Sequence, residues 1–208
     1  WGSSFSFIDD QDLYFEKINS ANKNEYLSPS GYKRFSNQKK LIKVKDSATV
    51  SFAVRRTANR VIIPHELYEM QSIVPDGFLV SLAWTGFKNS DKTLETFVNL
   101  MSAKNLDDFK TNISQRNSFN LILVISDETE VSSLFIGNSP KRKKENETKG
   151  QVITPGWKIE NQWRLDEKEE IKSFASSKRN GLILNTNNRF SESPFPDHMS
   201  FNWGDEQR

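Results

Sequence analysis

The apolar residues of this chain fall into short runs, most of them alternating, interrupted once by a pair of helical stripes. That order constrains the fold more than any other feature. Leu13-Tyr14-Phe15 is strand-like, and residues 17–40, polar and rich in Asn, Ser and Lys, read as a long loop. Ile42 and Val44 share one face and Val50, Phe52 and Val54 another, with Asp46-Ser47-Ala48 between them, the pattern of a hairpin. Val61-Ile62-Ile63 is a short strand stopped by Pro64. Residues 78–84 follow the turn signal Pro75-Asp76-Gly77 and read as a further strand. At residue 91 the period changes. Leu94, Phe97, Val98 and Met101 sit at i, i+3, i+4 and i+7, one helical face. Asn105 is placed as an N-cap, with Asp107 and Asp108 in the first turn and Leu106, Phe109 and Ile113 forming a second stripe. Residues 120–126 are a buried strand, 127–130 a turn, 131–136 the returning strand, 138–150 a basic loop and 181–184 a late strand. Strands, then helices, then strands predict an α+β fold rather than regular βαβ winding.

Composition sets limits on that fold. Apolar residues with the nine glycines make up about 39% of the 208 residues, against roughly 45–50% in self-contained domains. Fifteen Phe supply a Phe-heavy core and exclude a wholly disordered chain. The absence of Cys excludes a disulfide framework, a Cys-based zinc site and a Cys nucleophile within these residues. A net charge of +2 is too balanced for a dedicated polyanion binder, so no nucleic-acid partner is expected. No apolar run reaches the roughly 18 residues a membrane span needs.

Few residues qualify for chemistry. His65 and His198 accompany no G-x-S-x-G elbow and read as ordinary surface or packed histidines. Asp9, Asp10 and Asp12 repel one another unless a cation or donor offsets them. Their oxygens suit calcium, but without the spacing of an EF-hand, and taken alone the cluster reads as an exposed acidic turn. Lys141-Arg142-Lys143-Lys144 is followed by Glu145 and Glu147 with no interleaved aromatics, a solvated loop. Asn187-Asn188 can donate to an oxyanion or close a turn.

Three stretches together resemble the β-chain of the penicillin acylase family, the N-terminal-nucleophile amidohydrolases. Trp1-Gly2 with Asp9-Asp10-Gln11-Asp12-Leu13-Tyr14-Phe15-Glu16 is similar to the family's W-G … D-x-Q-D-L-Y-x-E stretch. Leu82-Ala83-Trp84-Thr85, Leu94-Glu95-Thr96-Phe97 and Asn105-Leu106-Asp107-Asp108-Phe109 resemble its W-T strand and the two helices after it. Pro155-Gly156-Trp157 and Asn180-Gly181 through Asn185-Thr186-Asn187-Asn188-Arg189 resemble its P-G and N-N-R segment.

The resemblance implies part of a four-layer αββα core: residues 1–16 as a core strand with the acidic, calcium-type segment, 17–80 as a β-rich insert, and 81–208 as the rest of the core portion. It implies hydrolysis of a linear, non-peptide amide by an N-terminal Ser, Cys or Thr whose own α-amine is the base, which removes the need for histidine. Matched residue by residue, the oxyanion donors fall at the Phe5 backbone N–H and the Asn187 side chain. Arg208 matches an arginine that orients the N-terminal region. Asp9, Asp12 and Asp197 match side-chain ligands of a structural calcium, with Gln11 offering a carbonyl. No organic cofactor is implied. The expected partners are the remaining α- and β-chain segments and a small amide substrate, in an extracytoplasmic compartment. Four departures stand out. The nucleophile is expected several tens of residues before Trp1, Phe5 stands where the family has Ala or Asn, Asn59-Arg60 replaces the His-Gly of an R-T-x-H-G segment, and Glu128-Thr129-Glu130 replaces a glycine-rich turn after Asp127. A non-catalytic β-rich binding module, or a degenerate family member, is the alternative.

Overall fold

A computed structural model describes residues 1–6, 8–66, 70, 72–87, 91–113, 120–138, 140–162, 164, 170–178 and 182–184. In chain order the strands are β1 (Gly2–Phe5), β2 (Gln11–Lys17), β3 (Glu25–Ser28), β4 (Gly31–Arg34), β5 (Ser36–Ile42), β6 (Val50–Arg56), β7 (Val61–Ile63) and β8 (Phe78–Trp84). Helices α1 (Thr93–Leu100) and α2 (Leu106–Asn112) follow, then β9 (Leu121–Ser126), β10 (Glu130–Gly137), β11 (Thr154–Pro155), a 3-10 turn at Ile159–Asn161, and β12 (Glu170–Lys178). The mixture is α+β, as its element order predicts. The chain forms two compact units, one of Trp1–Asp10, Thr85–Lys141 and Arg164–Arg208, the other of Gln11–Trp84 and Arg142–Trp163.

The first unit carries an antiparallel sheet in the order β1-β9-β10-β12. Leu121, Leu123 and Ile125 alternate onto one face of β9 and meet Leu134 and Ile136 of β10. Leu100 of α1 and Leu106, Phe109 and Ile113 around α2 cover that face. Ile122 and Phe135 point to the other face and pack with Ile8. Asn105 caps α2 as predicted, its side chain accepting the Asp108 N–H at 2.8 Å. The predicted turn at 127–130 also holds. Asp127 Oδ1 accepts the N–H groups of Thr129 and Glu130 at 2.8 and 3.0 Å, and its Oδ2 accepts the Leu106 N–H at 3.3 Å. One side chain thus closes the β9–β10 turn and satisfies a donor at the start of α2.

The second unit is a sheet in the order β11-β2-β8-β7-β6-β5, antiparallel except for β11 on β2, with a separate β3–β4 hairpin. β2 buries Asp12, Tyr14 and Glu16 on one face, so this face is polar and needs partners inside the unit.

Four readings of the sequence are corrected. Residues 17–40 are not a loop: they hold β3, β4 and the start of β5, joined by side-chain turns at Asn19, Asn22 and Ser28 that no periodicity reports. In α1 the buried positions are Thr93, Thr96 and Leu100, with Phe97 partly packed, while Leu94, Val98 and Met101 are exposed. Both stripes satisfy a 3.6-residue period in so short a helix, and packing on the sheet chooses the one containing Thr. The register of β5 and β6 pairs Ile42 with Val50 and Lys40 with Phe52, so Ile42, Val50 and Phe52 share a face. Residues 182–184 are not in a strand; β12 lies earlier, at Glu170–Lys178.

Candidate functional site

Phe5, the expected backbone donor, ends β1, which lies at an edge of the described sheet and pairs Phe5 with Leu121. Its side chain is 65% exposed. The chain just beyond it is held by Asn120. The Asn120 carbonyl accepts the Ser6 N–H at 3.3 Å, its Nδ2 donates to Asp10 Oδ2 at 2.7 Å, and its Oδ1 accepts the Asn138 N–H at 2.6 Å. Gly137 makes this clamp fit. Its φ is +149°, and a Cβ there would stand 1.9 Å from Asn120 Oδ1. Thr85 completes it, donating its N–H to the Asp10 carbonyl at 3.1 Å. Asp10 therefore has partners within its own unit, and the middle residue of the acidic cluster is a structural anchor.

Asp12, in the second unit, is buried. Arg142 grips it with both arms of its guanidinium, Nη2 to Oδ1 at 2.6 Å and Nε to Oδ2 at 3.0 Å. The single Tyr14 hydroxyl proton is shared between Oδ2 at 3.3 Å and the Asn161 carbonyl at 3.0 Å. Burial first, then the Asp12 charge, pushes the Tyr14 phenol far up. Gly150, at φ +86°, leaves room for the pair, since a Cβ would lie 2.2 Å from Asp12 Oδ1. The solvated-loop reading of 141–144 fails at Arg142, whose side chain is only 9% exposed.

A second buried cluster unites motif residues from both ends of the resemblance. Glu16 and Arg60 are 0% and 4% exposed, with Arg60 Nε 2.7 Å from Glu16 Oε1. The contact lies off the N–H axis, an ion pair rather than a directed hydrogen bond. Ser81 Oγ donates to the same oxygen at 2.6 Å. Arg60 also donates to the Gly156 carbonyl and to Gln162 Oε1, both at 3.2 Å, and stacks 4.3 Å over the Tyr14 ring. Gly156 approaches so closely that a Cβ would lie 2.8 Å from Glu16 Oε2. Burial raises the Glu16 carboxyl above its ordinary range, while Arg60 and Ser81 pull it back. Tyr14, Glu16 and the Pro155-Gly156 pair thus hold the second unit together.

Asn187, Asp197 and Arg208 lie outside the described residues, as does His198. Asp9 is half-buried in the first unit. Among the described residues no three acidic or histidine side chains gather as a metal cage, and the charge of Asp12 is already offset by Arg142. A cleft of about 320 Å³ in the first unit is lined by Trp1, Leu106, Phe109, Ile125 and Asp127. It sits at the far end of β9 from Phe5. Arg142 and Asn120 are the residues that sequence reasoning missed. Arg142 was hidden in a charge run and Asn120 at a strand end, and only their long-range partners mark them.

The family model described as "Penicillin amidase" matches residues 1–208. Acyl-homoserine lactone acylase QuiP of Pseudomonas syringae pv. tomato is 24% identical over all of this chain, and QuiP of Pseudomonas aeruginosa is 23% identical over 98% of it. The chain spans 24% of the length of each of these relatives. A thermostable penicillin G acylase from Alcaligenes faecalis superposes with a TM-score of 0.72 at 18% identity, covering all of this chain and 36% of that one. The fold is therefore that of the penicillin G acylase core segment it overlays, and with a family model matched from end to end this chain belongs to the penicillin amidase family.

Proposed function

We propose that these 208 residues are part of an amidohydrolase of the penicillin acylase type that cleaves a linear, non-peptide amide. The end-to-end family match carries the reading. In it, an N-terminal Ser, Cys or Thr outside this chain attacks the amide carbonyl, its α-amine taking the proton. The Phe5 N–H and the Asn187 side chain donate to the oxyanion, and Arg208 orients the N-terminal region. The position of Phe5 on β1, an edge strand among the described strands, supports this, since a further strand can pair beside it. Asn120, Asp10 and Thr85 then act as positioning residues that hold the chain after Phe5. The acyl-homoserine lactone acylases among the relatives make an N-acyl amide the substrate to try first. The partners are the remaining segments of the same protein, in an extracytoplasmic compartment.

A structural calcium belongs to the same reading, with Asp9, Asp12 and Asp197 as ligands. Arg142 already neutralises Asp12, so we assign the ion no step in the reaction.

The test is expression of the full-length protein, mass spectrometry of the β-chain N-terminus and an assay of amine release from N-acyl-homoserine lactones and penicillin G. Processing to Ser, Cys or Thr with turnover is expected, and Asn187→Ala should lower kcat about 10²–10³-fold. An unprocessed chain that turns over neither substrate would establish the non-catalytic module instead.

A further inference from the structure

The β5–β6 hairpin combines two features. Every residue from 36 to 53 is exposed, although the strands pair fully from Ser36↔Arg56 to Ile42↔Val50. β6 joins the sheet only through Arg56↔Val61, so the hairpin is an arm with neither face covered. Ile42, Val50 and Phe52 form an apolar patch on one face, and Leu41 and Val44 add to the tip, all five exposed. A two-stranded hairpin is marginal in water unless an apolar face is covered, and a contiguous exposed apolar patch marks an interaction surface.

Charge identifies the partner. The exposed residues 36–53 hold Lys39, Lys40, Lys43 and Lys45 against Asp46 alone, a net +3. The whole chain is +2, so the rest sums to −1. The arm with the apolar tip is therefore locally basic. An extended peptide adding to the outer strand β5 is opposed by Lys39 and Lys40 on that strand. A nucleic acid would meet the charge but gives the aliphatic tip nothing to enter. A bilayer with anionic headgroups matches both features.

We propose that the hairpin tip docks on the surface of an anionic phospholipid membrane. Ile42, Val44, Val50 and Phe52 enter the headgroup–acyl boundary, and Lys39, Lys40, Lys43 and Lys45 meet the phosphates. The contact is peripheral and needs no spanning segment; no helix among the described residues is long and apolar enough to cross a membrane.

The experiment is co-sedimentation of the full-length protein with vesicles of phosphatidylcholine, and of equimolar phosphatidylcholine and phosphatidylglycerol, alongside a duplex DNA oligonucleotide. Binding to the anionic vesicles alone is expected, weakening at least about tenfold at high salt. Lys40→Glu with Lys43→Glu, and separately Ile42→Ser with Phe52→Ser, should each weaken it about tenfold or more with the melting temperature unchanged. No sedimentation with anionic vesicles would overturn the proposal. So would resistance of Lys43 and Lys45 to trypsin in lipid-free protein, which would mean that the same protein's other segments cover the arm. Equal binding to DNA with no loss in the Ile42/Phe52 variant would overturn it in favour of a nucleic-acid contact. Amide hydrolysis is read separately, so neither result depends on the other.

Discussion

Glu16 and Arg60 show how a departure from a motif is absorbed by its neighbours. Arg60 stands where the resembling motif has Gly, and its guanidinium fills a buried site against Glu16, Tyr14 and Gly156. A buried pair is costly to break because the survivor keeps its desolvation penalty. Arg60→Ala should therefore lose about 3–5 kcal/mol in urea denaturation. Burial raises the Glu16 carboxyl, so the folded state holds its proton more tightly than the unfolded state. Its contribution to stability is present below the ordinary glutamic acid range and is lost as pH rises through the raised value. Glu16→Gln should flatten that slope, read as urea midpoints across pH. The second buried carboxylate, Asp12, tests the proposed ion. Arg142→Ala should cost a similar amount, and calcium should restore part of it while raising the melting temperature of the parent only slightly. A large calcium shift that survives Asp9→Asn would contradict the ligand assignment.

At the scale of elements, the two short helices differ in how they meet their sheet. α2 buries Leu106 and Phe109 on a stripe with a capped start, and α1 buries Thr93, Thr96 and Leu100 while leaving Leu94 and Met101 79% and 78% exposed. Phe109→Ala should cost about 3–5 kcal/mol through the cavity left in the core cluster that α2 shares with β9 and β10. Leu94→Gln should change stability by less than about 0.5 kcal/mol, because its side chain loses nothing buried. Urea midpoints of both variants check the contrast. The β9–β10 turn adds a pH signature. Hydrogen bonds from Thr129 and Glu130 hold the Asp127 carboxyl down to about 2. Its stabilisation is present above the ordinary carboxylate range and lost as pH falls toward that value. In Asp127→Asn the acid limb of the stability profile should flatten.

For the whole molecule, the proposed function assigns the oxyanion donors to these 208 residues and the nucleophile to a segment outside them. The 208 residues alone should release no amine from an N-acyl substrate, and the full-length protein should; a chromatographic assay of both decides it. Much of this was legible in sequence. β2, β7, β8, the β9–β10 hairpin and the cap of α2 are all legible from apolar runs, Pro64, Asp127 and Asn105, because local hydrogen bonds and period-2 burial write themselves into neighbouring residues. Family membership was legible too, from the order and spacing of three motifs. What sequence alone could not decide were the contacts between residues distant along the chain. It could not choose between two equally periodic stripes on α1, since only the sheet underneath distinguishes Thr96 from Val98. Nor could it separate Arg142 from the solvated lysines beside it, or assign Tyr14, Glu16 and Gly156 to one buried cluster. Burial of a charge depends on partners 44 to 130 positions away, and only the tertiary structure brings those partners within hydrogen-bonding distance.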